Sequence, residues 1–305
     1  MTSDNIYGGL EGGGTKFVCM VGSSPQNILE EVRFPTTIPR ETIQQAVNFF
    51  KRCADNTRLS AIGVASFGPL DLDKNSPTYG HITTTPKPGW SHTDMISKLH
   101  QALGIPIIFE HDVSASAFGE YYWNPENRQK EPLVYFTIGT GIGAGIILNS
   151  RPVHGLLHIE AGHMHIPHDR KADPYSGNCP FHSDCFEGLA CGPAMKQRWG
   201  QPAENLPEDH PAWNLEATYI ALAMSNVIFT LSPKRIVLGG GVMQHEALFP
   251  MIRQKVLKLL NNYIQSSDIL ERIDDYIVPP FLGNRSGILG AIALARVEIE
   301  EKKKN

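Results

Sequence analysis

The segment Ile6-Tyr-Gly-Gly-Leu-Glu-Gly-Gly-Gly-Thr-Lys-Phe-Val-Cys-Met-Val21 contains two apolar runs on either side of a glycine turn. Short apolar runs separated by glycines predict a β-hairpin. The same pattern returns at Leu133–Leu148, where the turn reads Gly139-Thr-Gly-Ile-Gly143. No residue-level repeat relates the two segments, so we interpret them as a duplicated architecture and not as a repeat array.

Strand and helix patterns alternate along the rest of the chain, which predicts an α/β protein. The further strand patterns are Ile28–Phe34, Ala61–Phe67, Pro106–Phe109 and Arg235–Leu238. The helical patterns follow Pro39, run through Met95 and Leu103, cover Val113–Trp123, and begin at Asn214, Glu246 and Ser286. We expect Ser91 and Asp94 to form a capping box for the second helix, and the charged tail Glu300–Asn305 to fray.

Composition excludes several classes of protein. The chain has 305 residues, 41% of them hydrophobic, and a formal net charge of -4, which is typical of a globular protein and does not favour nucleic acid as a partner. No apolar stretch reaches the ~20 residues of a membrane-spanning helix, and the first residues lack a signal-peptide pattern. An odd number of cysteines, five, is typical of reduced thiols. We therefore expect a cytoplasmic protein with no membrane or nucleic-acid partner.

Glycine turns of this kind can bind phosphate through their backbone N–H groups. Either turn alone could be an ordinary hairpin turn, but two of them, with a third glycine cluster at Gly239–Gly241, favour phosphate binding. The P-loop pattern is absent from the sequence. Gly139, Gly141 and Ala144 match GxGxxA, but a strand pattern follows them where a dinucleotide site needs a helix.

Two acidic residues are placed for catalysis. Asp112 lies between an apolar strand and a helix, where a carboxylate can accept the proton of a hydroxyl that attacks phosphorus. From its position alone, Asp112 could equally be a helix N-cap. Glu11 precedes the first glycine turn and could orient Mg²⁺ or its waters, or could be a solvated acid at a strand end.

A cluster of cysteines and histidines predicts a zinc site. Six of the twelve histidines lie between His154 and His182, and Cys179-Pro-Phe-His-Ser-Asp-Cys185 supplies three ligands at uniform spacing. The fourth ligand could come from His163, His165 or His168. A histidine-rich polar loop with free thiols is the alternative. Cys191 is a weaker candidate, and we expect Cys19 and Cys53 to be core thiols.

Together these motifs resemble the ROK family of bacterial sugar kinases, within the actin-like ATPase and hexokinase superfamily. Glu11–Lys16 and Thr137–Gly145 are similar to the family's two phosphate hairpins, the first in the form we associate with fructokinases. Ile159-Glu-Ala-Gly-His163 resembles the GExGH motif, with isoleucine in place of its first glycine. Cys179–Glu187 resembles the zinc loop, in which His182 replaces a cysteine at a different spacing.

The resemblance implies an α/β protein with a two-lobed actin-like ATPase (ribonuclease H-like) fold, a duplicated strand-hairpin-helix core and a zinc-binding loop. Residues 1–118, joined by the C-terminal helix 286–305, would form the smaller lobe. Residues 119–285 would form the larger lobe, with the second hairpin, the zinc loop and the adenosine site. The family also favours a homodimer.

The resemblance further implies ATP, Mg²⁺ and Zn²⁺ as cofactors, and a role for each matching residue. Asp112 would be the general base. The sugar would contact His111, Asp112, Glu160, His163 and Glu187, where His111 stands in place of the family's usual Asn. The zinc ligands would be His163, Cys179, His182 and Cys185. The nucleotide would contact Glu11, Gly12, Gly13, Gly14, Thr15, Lys16, Gly139, Thr140, Gly141, Gly143, Gly192, Pro193, Gly239, Gly240 and Gly241.

The activity that the resemblance implies is ATP-dependent phosphorylation of a hexose, with D-fructose at its 6-hydroxyl as the expected acceptor. Glucose, mannose and N-acetylmannosamine are the alternative acceptors. A different class of relative, the sugar-responsive repressors, carries a helix-turn-helix segment ahead of the first hairpin. Here the first strand begins near Ile6, which weighs against a repressor. A sugar-binding protein without catalysis is the remaining alternative.

Overall fold

The structure is a computed structural model that describes residues 5–85 and 87–303. The last two residues of the charged tail expected to fray, 304 and 305, lie outside the described residues. Among the described residues, every helix is too short or too polar to cross a lipid bilayer.

The strands, in chain order, are β1 (Ile6–Gly12), β2 (Lys16–Ser24), β3 (Asn27–Pro35), β4 (Leu59–Ser66), β5 (His81–Ile82), β6 (Thr93–Asp94), β7 (Ile107–His111), β8 (Leu133–Ile138), β9 (Ile142–Leu148), β10 (Arg151–Pro152), β11 (Arg235–Gly239) and β12 (Ile277–Val278). The α-helices are α1 (Pro39–Asn56), α2 (Ile96–Leu103), α3 (Asp112–Trp123), α4 (Phe186–Ala190), α5 (Gly192–Trp199), α6 (Pro211–Leu231), α7 (Leu248–Leu260), α8 (Ser267–Leu270), α9 (Ile273–Tyr276) and α10 (Ser286–Lys302).

The chain forms two compact units. The first contains the residues up to Arg128, the segment Arg151–His158 and the residues from Asn284 onward. The second contains Gln129–Ser150 and Ile159–Gly283. The sequence-based boundaries place residues 151–158 in the larger lobe, whereas the structure places them in the first unit.

The first unit is built on a sheet of order β3-β2-β1-β4-β7. The β1–β2 and β2–β3 pairs are antiparallel, so both glycine-flanking runs form the expected hairpin, while β4 and β7 run parallel to β1. One face of α1 buries Ile43, Val47 and Phe50 against this sheet's core. The three residues are three or four positions apart and therefore share one helix face.

The second unit repeats this arrangement. Its sheet contains the order β9-β8-β11-β12, with an antiparallel β8–β9 hairpin followed by two parallel strands. The hairpin, its glycine turn and the parallel strands occupy the same places in the order as β2-β1-β4-β7 in the first unit. The duplicated core that the two glycine turns predict is therefore confirmed.

Helix α10 completes the core of the first unit, where it contacts α3, β1 and β4. Its residues Ser286–Ala295 are buried on every side, so the helix shows no polar face over this length. The indole N–H of Trp123 donates to the carbonyl oxygen of Leu289 at 2.9 Å, which joins α3 to α10.

Several helix ends differ from their sequence-based predictions. Ser91 does not cap α2, because its hydroxyl donates to the Thr85 carbonyl oxygen, and Asp94 alone accepts the N–H of Ser97, at 2.9 Å. Helix α6 begins three residues before Asn214, where the His210 side chain accepts a backbone N–H. Helix α10 continues through Glu300, which pairs with Arg296, so the tail is helical as far as Lys302.

Candidate active site

The first glycine turn joins β1 to β2, and its tip is exposed at Gly14, Thr15 and Lys16. Thr36 supports the turn from the side. Its hydroxyl donates to the Gly13 carbonyl oxygen at 2.7 Å, and its N–H donates to the Thr15 carbonyl oxygen at 2.9 Å. A turn fixed in this way offers a preformed, open backbone surface to an anion.

Asp112 is the first residue of α3 and directly follows β7. Its Oδ1 accepts the N–H of Val113 at 2.8 Å. Burial nevertheless raises the pKa of Asp112 to about 7. Burial, together with the charge of Asp112, also raises the pKa of Glu11 at the end of β1 to about 7. The pKa of each carboxyl group therefore lies near neutral pH, where a base can both hold and release a proton.

The segment Arg151–His158, which we call the histidine strap, contacts the last two residues of β7, Glu110 and His111, directly before Asp112. His154 Nε2 lies 2.9 Å from Glu110 Oε2, and this contact raises the pKa of His154. The other carboxylate oxygen of Glu110 accepts the N–H of His111 at 2.8 Å. Glu110 thus connects the strap to the backbone that precedes Asp112.

The second contact of the strap is made by His158. Its ring stacks on the ring of His111 with centroids 4.1 Å apart and planes 9° apart. The N–H of Leu70 donates to His158 Nε2 at 3.2 Å, which fixes the ring. His111 Nε2 lies 3.4 Å from Asp112 Oδ1, and burial lowers the pKa of His111 to about 4. A neutral, stacked imidazole therefore stands beside the Asp112 carboxyl group.

In the second unit, the glycine turn between β8 and β9 is held by three backbone N–H groups. The N–H of Gly139 donates to the Gly141 carbonyl oxygen at 2.9 Å, and the N–H of Gly192 donates to the Gly139 carbonyl oxygen at 2.7 Å. The N–H of Ile142 donates to Glu187 Oε2 at 2.8 Å. These bonds connect the turn to the segment that contains α4 and α5.

A cavity of about 870 Å³ opens beside this turn. Five of the residues predicted to contact nucleotide line this cavity, namely Gly139, Thr140, Gly192, Pro193 and Gly241. Gly239 and Gly240 instead pack closely on Tyr135 and Ile138, and Gly143 lies within β9.

Two aromatic residues of this cavity were not expected from the sequence. Trp213 and His245 line it as a stacked pair, with ring centroids 3.8 Å apart and planes 12° apart. A flat aromatic pair at the wall of a cavity can provide a surface on which a nucleotide base stacks.

His163, Cys179, His182 and Cys185 lie together as predicted, with one ligand atom of each within 4.8 Å of the others. Cys179 Sγ lies 3.7 Å from His163 Nδ1 and 3.6 Å from His182 Nδ1, and Cys185 Sγ lies 3.6 Å from His163 Nδ1. Sulfur and nitrogen ligands of one tetrahedral zinc ion stand about 3.6 Å apart, so this donor set fits zinc in chemistry and in spacing.

His168, one of the three candidates for the fourth ligand, lies outside the cluster and has a buried side chain that supports it. Its Nδ1 lies 3.0 Å from Asp184 Oδ2, next to Cys185, and its Nε2 lies 3.7 Å from Asp173 Oδ2. Asp173 also pairs with Arg198 at 3.2 Å. The other cysteines lie apart from the cluster: Cys19 and Cys53 are buried core thiols, as predicted, and Cys191 Sγ contacts Asn178 Oδ1.

The residues expected to hold the sugar lie in both units. His111 and Asp112 belong to the first unit, while Glu160, His163 and Glu187 belong to the second. Glu160 is exposed and directly precedes the 3-10 turn Ala161–His163. Glu187 also accepts a hydrogen bond from the glycine turn, and the sequence did not predict this bond.

The unexpected contacts come from His154, His158, Trp213 and His245. None of them lies in a motif. Each contacts a partner more than thirty positions away in the chain, so no local pattern reveals the contact. For His154 and His158, the one signal in the sequence was the concentration of histidines after position 154, which we interpreted as a zinc site or, alternatively, a histidine-rich polar loop.

Each unit thus presents an antiparallel hairpin with a glycine turn, followed by two parallel strands, and the second adds a Cys/His cluster. This combination defines an actin-like α/β fold of the sugar-kinase type. A family model confirms the resemblance seen in the motifs. The chain belongs to the ROK family, whose model matches residues 7–298.

Known relatives are similar over nearly the whole chain. The fructokinase of Streptococcus mutans is 44% identical over 95% of this chain and 97% of its own length. The fructokinase of Lactococcus lactis subsp. cremoris is 43% identical over 95% of this chain and 96% of its own. The crystal structure of a ROK hexokinase from Thermus thermophilus superposes with a TM-score of 0.76 at 23% identity, covering 97% of this chain and 99% of that chain. This likeness confirms the expected fold class.

Proposed function

We propose that this protein is an ATP-dependent fructokinase, which transfers the terminal phosphoryl group of ATP to the 6-hydroxyl of D-fructose. The observation that carries this function is Asp112, a half-buried carboxyl group with a pKa of about 7 at the end of a parallel strand, in a chain with two glycine turns. The choice of fructose as acceptor rests on the fructokinase relatives.

In the proposed reaction, Asp112 accepts the proton of the sugar 6-hydroxyl as that oxygen attacks the γ-phosphorus of ATP. The bond between the γ-phosphorus and the bridging oxygen of ADP breaks, and ADP leaves with that electron pair. A base with a pKa near neutrality suits this step, because it is ionised before the transfer and protonated after it.

The nucleotide would bind through the two glycine turns, with its phosphates on backbone N–H groups. The first turn contributes Gly12–Lys16, and the second contributes Gly139–Gly143. Trp213 and His245 provide the stacking surface for the base. Glu11 would hold Mg²⁺ or its waters, and the ion would neutralise charge on the phosphates.

By the family resemblance, the sugar would contact His111, Asp112, Glu160, His163 and Glu187. The cluster of His163, Cys179, His182 and Cys185 would bind zinc, which fixes the segment that presents these sugar ligands. Zinc bound in this way has a structural role and takes no part in phosphoryl transfer.

The acceptor is tested by measuring ADP release with fructose, mannose, glucose and N-acetylmannosamine, each at several concentrations. We expect the highest kcat/KM with fructose, and fructose 6-phosphate as the product by ³¹P NMR. An equal or higher kcat/KM with glucose or mannose would identify one of the alternative hexoses. Sugar binding without ADP release would instead identify a sensor that lacks catalysis.

We further infer a cytoplasmic homodimer from the family resemblance and from the five free cysteines, which are typical of a reducing compartment. Light scattering of the purified protein at micromolar concentration tests the dimer, because a mass of 33.7 kDa would identify a monomer.

A further inference from the structure

The Cys/His cluster and the second glycine turn contact the same residue, Ile142. The N–H of Ile142 donates to Glu187, which lies two residues after the ligand Cys185. On its carbonyl side, Gly162 packs so closely on the Ile142 oxygen that a Cβ at Gly162 would lie 1.8 Å from it. Gly162 directly precedes the ligand His163. Both segments that carry metal ligands therefore contact Ile142, one at its N–H and the other at its carbonyl oxygen.

The position of Glu187 is closely defined. A Cβ at Gly141 would lie 2.7 Å from Glu187 Oε2, so the carboxylate fits against the turn only because position 141 has no side chain. Directly after α4, the N–H of Gly192 donates to the Gly139 carbonyl oxygen at 2.7 Å. The segment that begins at Cys185 therefore holds both ends of the four-residue turn 139–142.

The chemistry of Glu187 at this place indicates a role in holding the turn. A carboxylate beside a polyphosphate site repels the ligand, so its charge gives no advantage in nucleotide binding. As an acceptor for a backbone N–H, however, it fixes the conformation in which the remaining N–H groups of the turn face a phosphate. Preformed binding groups raise affinity, because the ligand does not have to order them.

We propose that the metal-binding segment positions the second phosphate turn through Glu187 and Gly162, so that nucleotide affinity in the absence of sugar depends on this segment. Glu187 is thus a positioning residue for the nucleotide, in addition to the sugar contact that the family resemblance implies. The proposal rests on the proposed function in one respect, namely that the turn binds phosphate.

The test is titration of ADP and Mg²⁺ into the protein without sugar, by calorimetry. We expect Glu187→Ala to weaken ADP binding about 10-fold, because a charge-assisted hydrogen bond to the turn is lost. Glu187→Gln keeps an oxygen that can accept the Ile142 N–H, so its Kd should stay within about 2-fold of the wild type. Removal of the metal from the wild type by a chelator should weaken ADP binding in the same direction as Glu187→Ala.

Glu131→Ala is the matched control. The Glu131 carboxylate also accepts a backbone N–H, that of Ser150 at 3.1 Å, at the opposite end of the β8–β9 hairpin from the glycine turn. This variant loses the same kind of hydrogen bond in the same hairpin, and its ADP affinity should equal that of the wild type.

Wild-type ADP affinity in a folded Glu187→Ala variant would overturn the proposal, and so would an equal loss in Glu187→Gln and Glu187→Ala. If Glu187→Ala does not fold, the ADP titration of the metal-depleted wild type is the test. Unchanged ADP affinity of that protein would also overturn the proposal. Failure of the wild type itself to bind ADP would instead contradict the proposed function, and the two failures are distinguishable in one set of titrations.

Discussion

Asp112 is the residue on which the proposed chemistry depends, and its surroundings are unusual for an aspartate. Burial raises its pKa, the Val113 N–H stabilises its charge, and the neutral ring of His111 lies beside it. In water an aspartate would be ionised at pH 7 and would be a weak base. At this position the same group is poised near neutral pH, which is where a proton acceptor is most useful.

Replacement of this base gives the first prediction. We expect Asp112→Asn to lower kcat about 10²–10⁴-fold, because loss of a positioned base typically costs that much. The asparagine oxygen can still accept the Val113 N–H, so the circular dichroism spectrum and the melting temperature should stay close to those of the wild type. A near-normal kcat in the folded variant would remove Asp112 from the mechanism.

The pH dependence of the reaction gives the second prediction. A base must be deprotonated to act, and the pKa of Asp112 is raised to about 7, so kcat/KM for fructose should rise as pH increases through about 7. An aspartate with an ordinary pKa would give a flat profile from pH 5.5 upward. The residual activity of Asp112→Asn is the control and should lack this rise. A flat wild-type profile would show that another group accepts the proton.

The candidate site residues named from the sequence lie in motifs, and the residues that contact them in the structure do not. Asp112 and the glycine turns were recognisable because catalytic acids and phosphate turns have fixed places relative to strands. His158 could not be predicted, since its partner His111 lies 47 positions earlier and only folding brings their rings together. The sugar ligands and metal ligands expected from the family remain proposals that the experiments above address.

At the scale of elements, α10 depends on glycines that let it approach its neighbours. A Cβ at Gly63 in β4 would lie 1.9 Å from the Ala291 carbonyl oxygen, and one at Gly290 would lie 1.8 Å from the Ala115 carbonyl oxygen. Both neighbours are backbone atoms, which cannot move without displacing a helix.

The third prediction concerns this packing. We expect Gly63→Ala to lower the free energy of unfolding by about 3 kcal/mol, because overpacking of this kind forces a shift of the backbone. Urea unfolding followed by circular dichroism measures the change. Gly155→Ala is the control, since a Cβ there meets nothing within 4 Å, and its stability should be unchanged. A loss below about 0.5 kcal/mol in Gly63→Ala would show that α10 shifts easily.

The histidine strap gives the fourth prediction. His158→Ala removes the ring that stacks on His111 beside Asp112, and small displacements of a catalytic group are costly, so we expect kcat to fall at least about 10-fold. The Kd for ADP, measured without sugar, should not change, which separates this effect from loss of folding. His100→Ala, at an exposed site on α2, should behave as the wild type. An unchanged kcat in His158→Ala would show that the stack does not position Asp112.

Most elements were predictable because they follow local patterns, and the errors lie at their ends. The capping box does not form because α2 begins only at Ile96, five residues after Ser91, whose hydroxyl donates to Thr85 instead. Helix α6 starts early because His210 supplies a cap that is unusual in residue type. Both differences come from local hydrogen bonds that the usual capping residue types do not indicate.

For the whole molecule, the metal cluster gives the fifth prediction. The wild type should hold about one zinc per chain, measured by plasma mass spectrometry, and Cys179→Ser and Cys185→Ser should lose it. Both variants should also melt at lower temperature, because a bound structural metal stabilises the folded state. Cys53→Ser is the control, since its thiol is buried away from the cluster. Full zinc content in both cluster variants would contradict the metal site.

The duplicated plan of the molecule was visible in the sequence, because both glycine turns lie between apolar runs. The sequence did not show that residues 151–158 return to the first unit, because no change in composition marks them. In the structure, contacts of His154 with Glu110 and of His158 with His111 hold this segment in the first unit.

Helix α10 also has a consequence for synthesis. The sheet of the first unit leaves the ribosome early, but the helix that covers it is made only after residues 129–283, which takes about 10–30 s at usual rates of translation. During that interval the nascent chain carries an uncovered apolar surface, which is the kind of surface that chaperones bind. Completion of the first unit therefore waits for α10, and the surface that Gly63 shapes for this helix stays open until then.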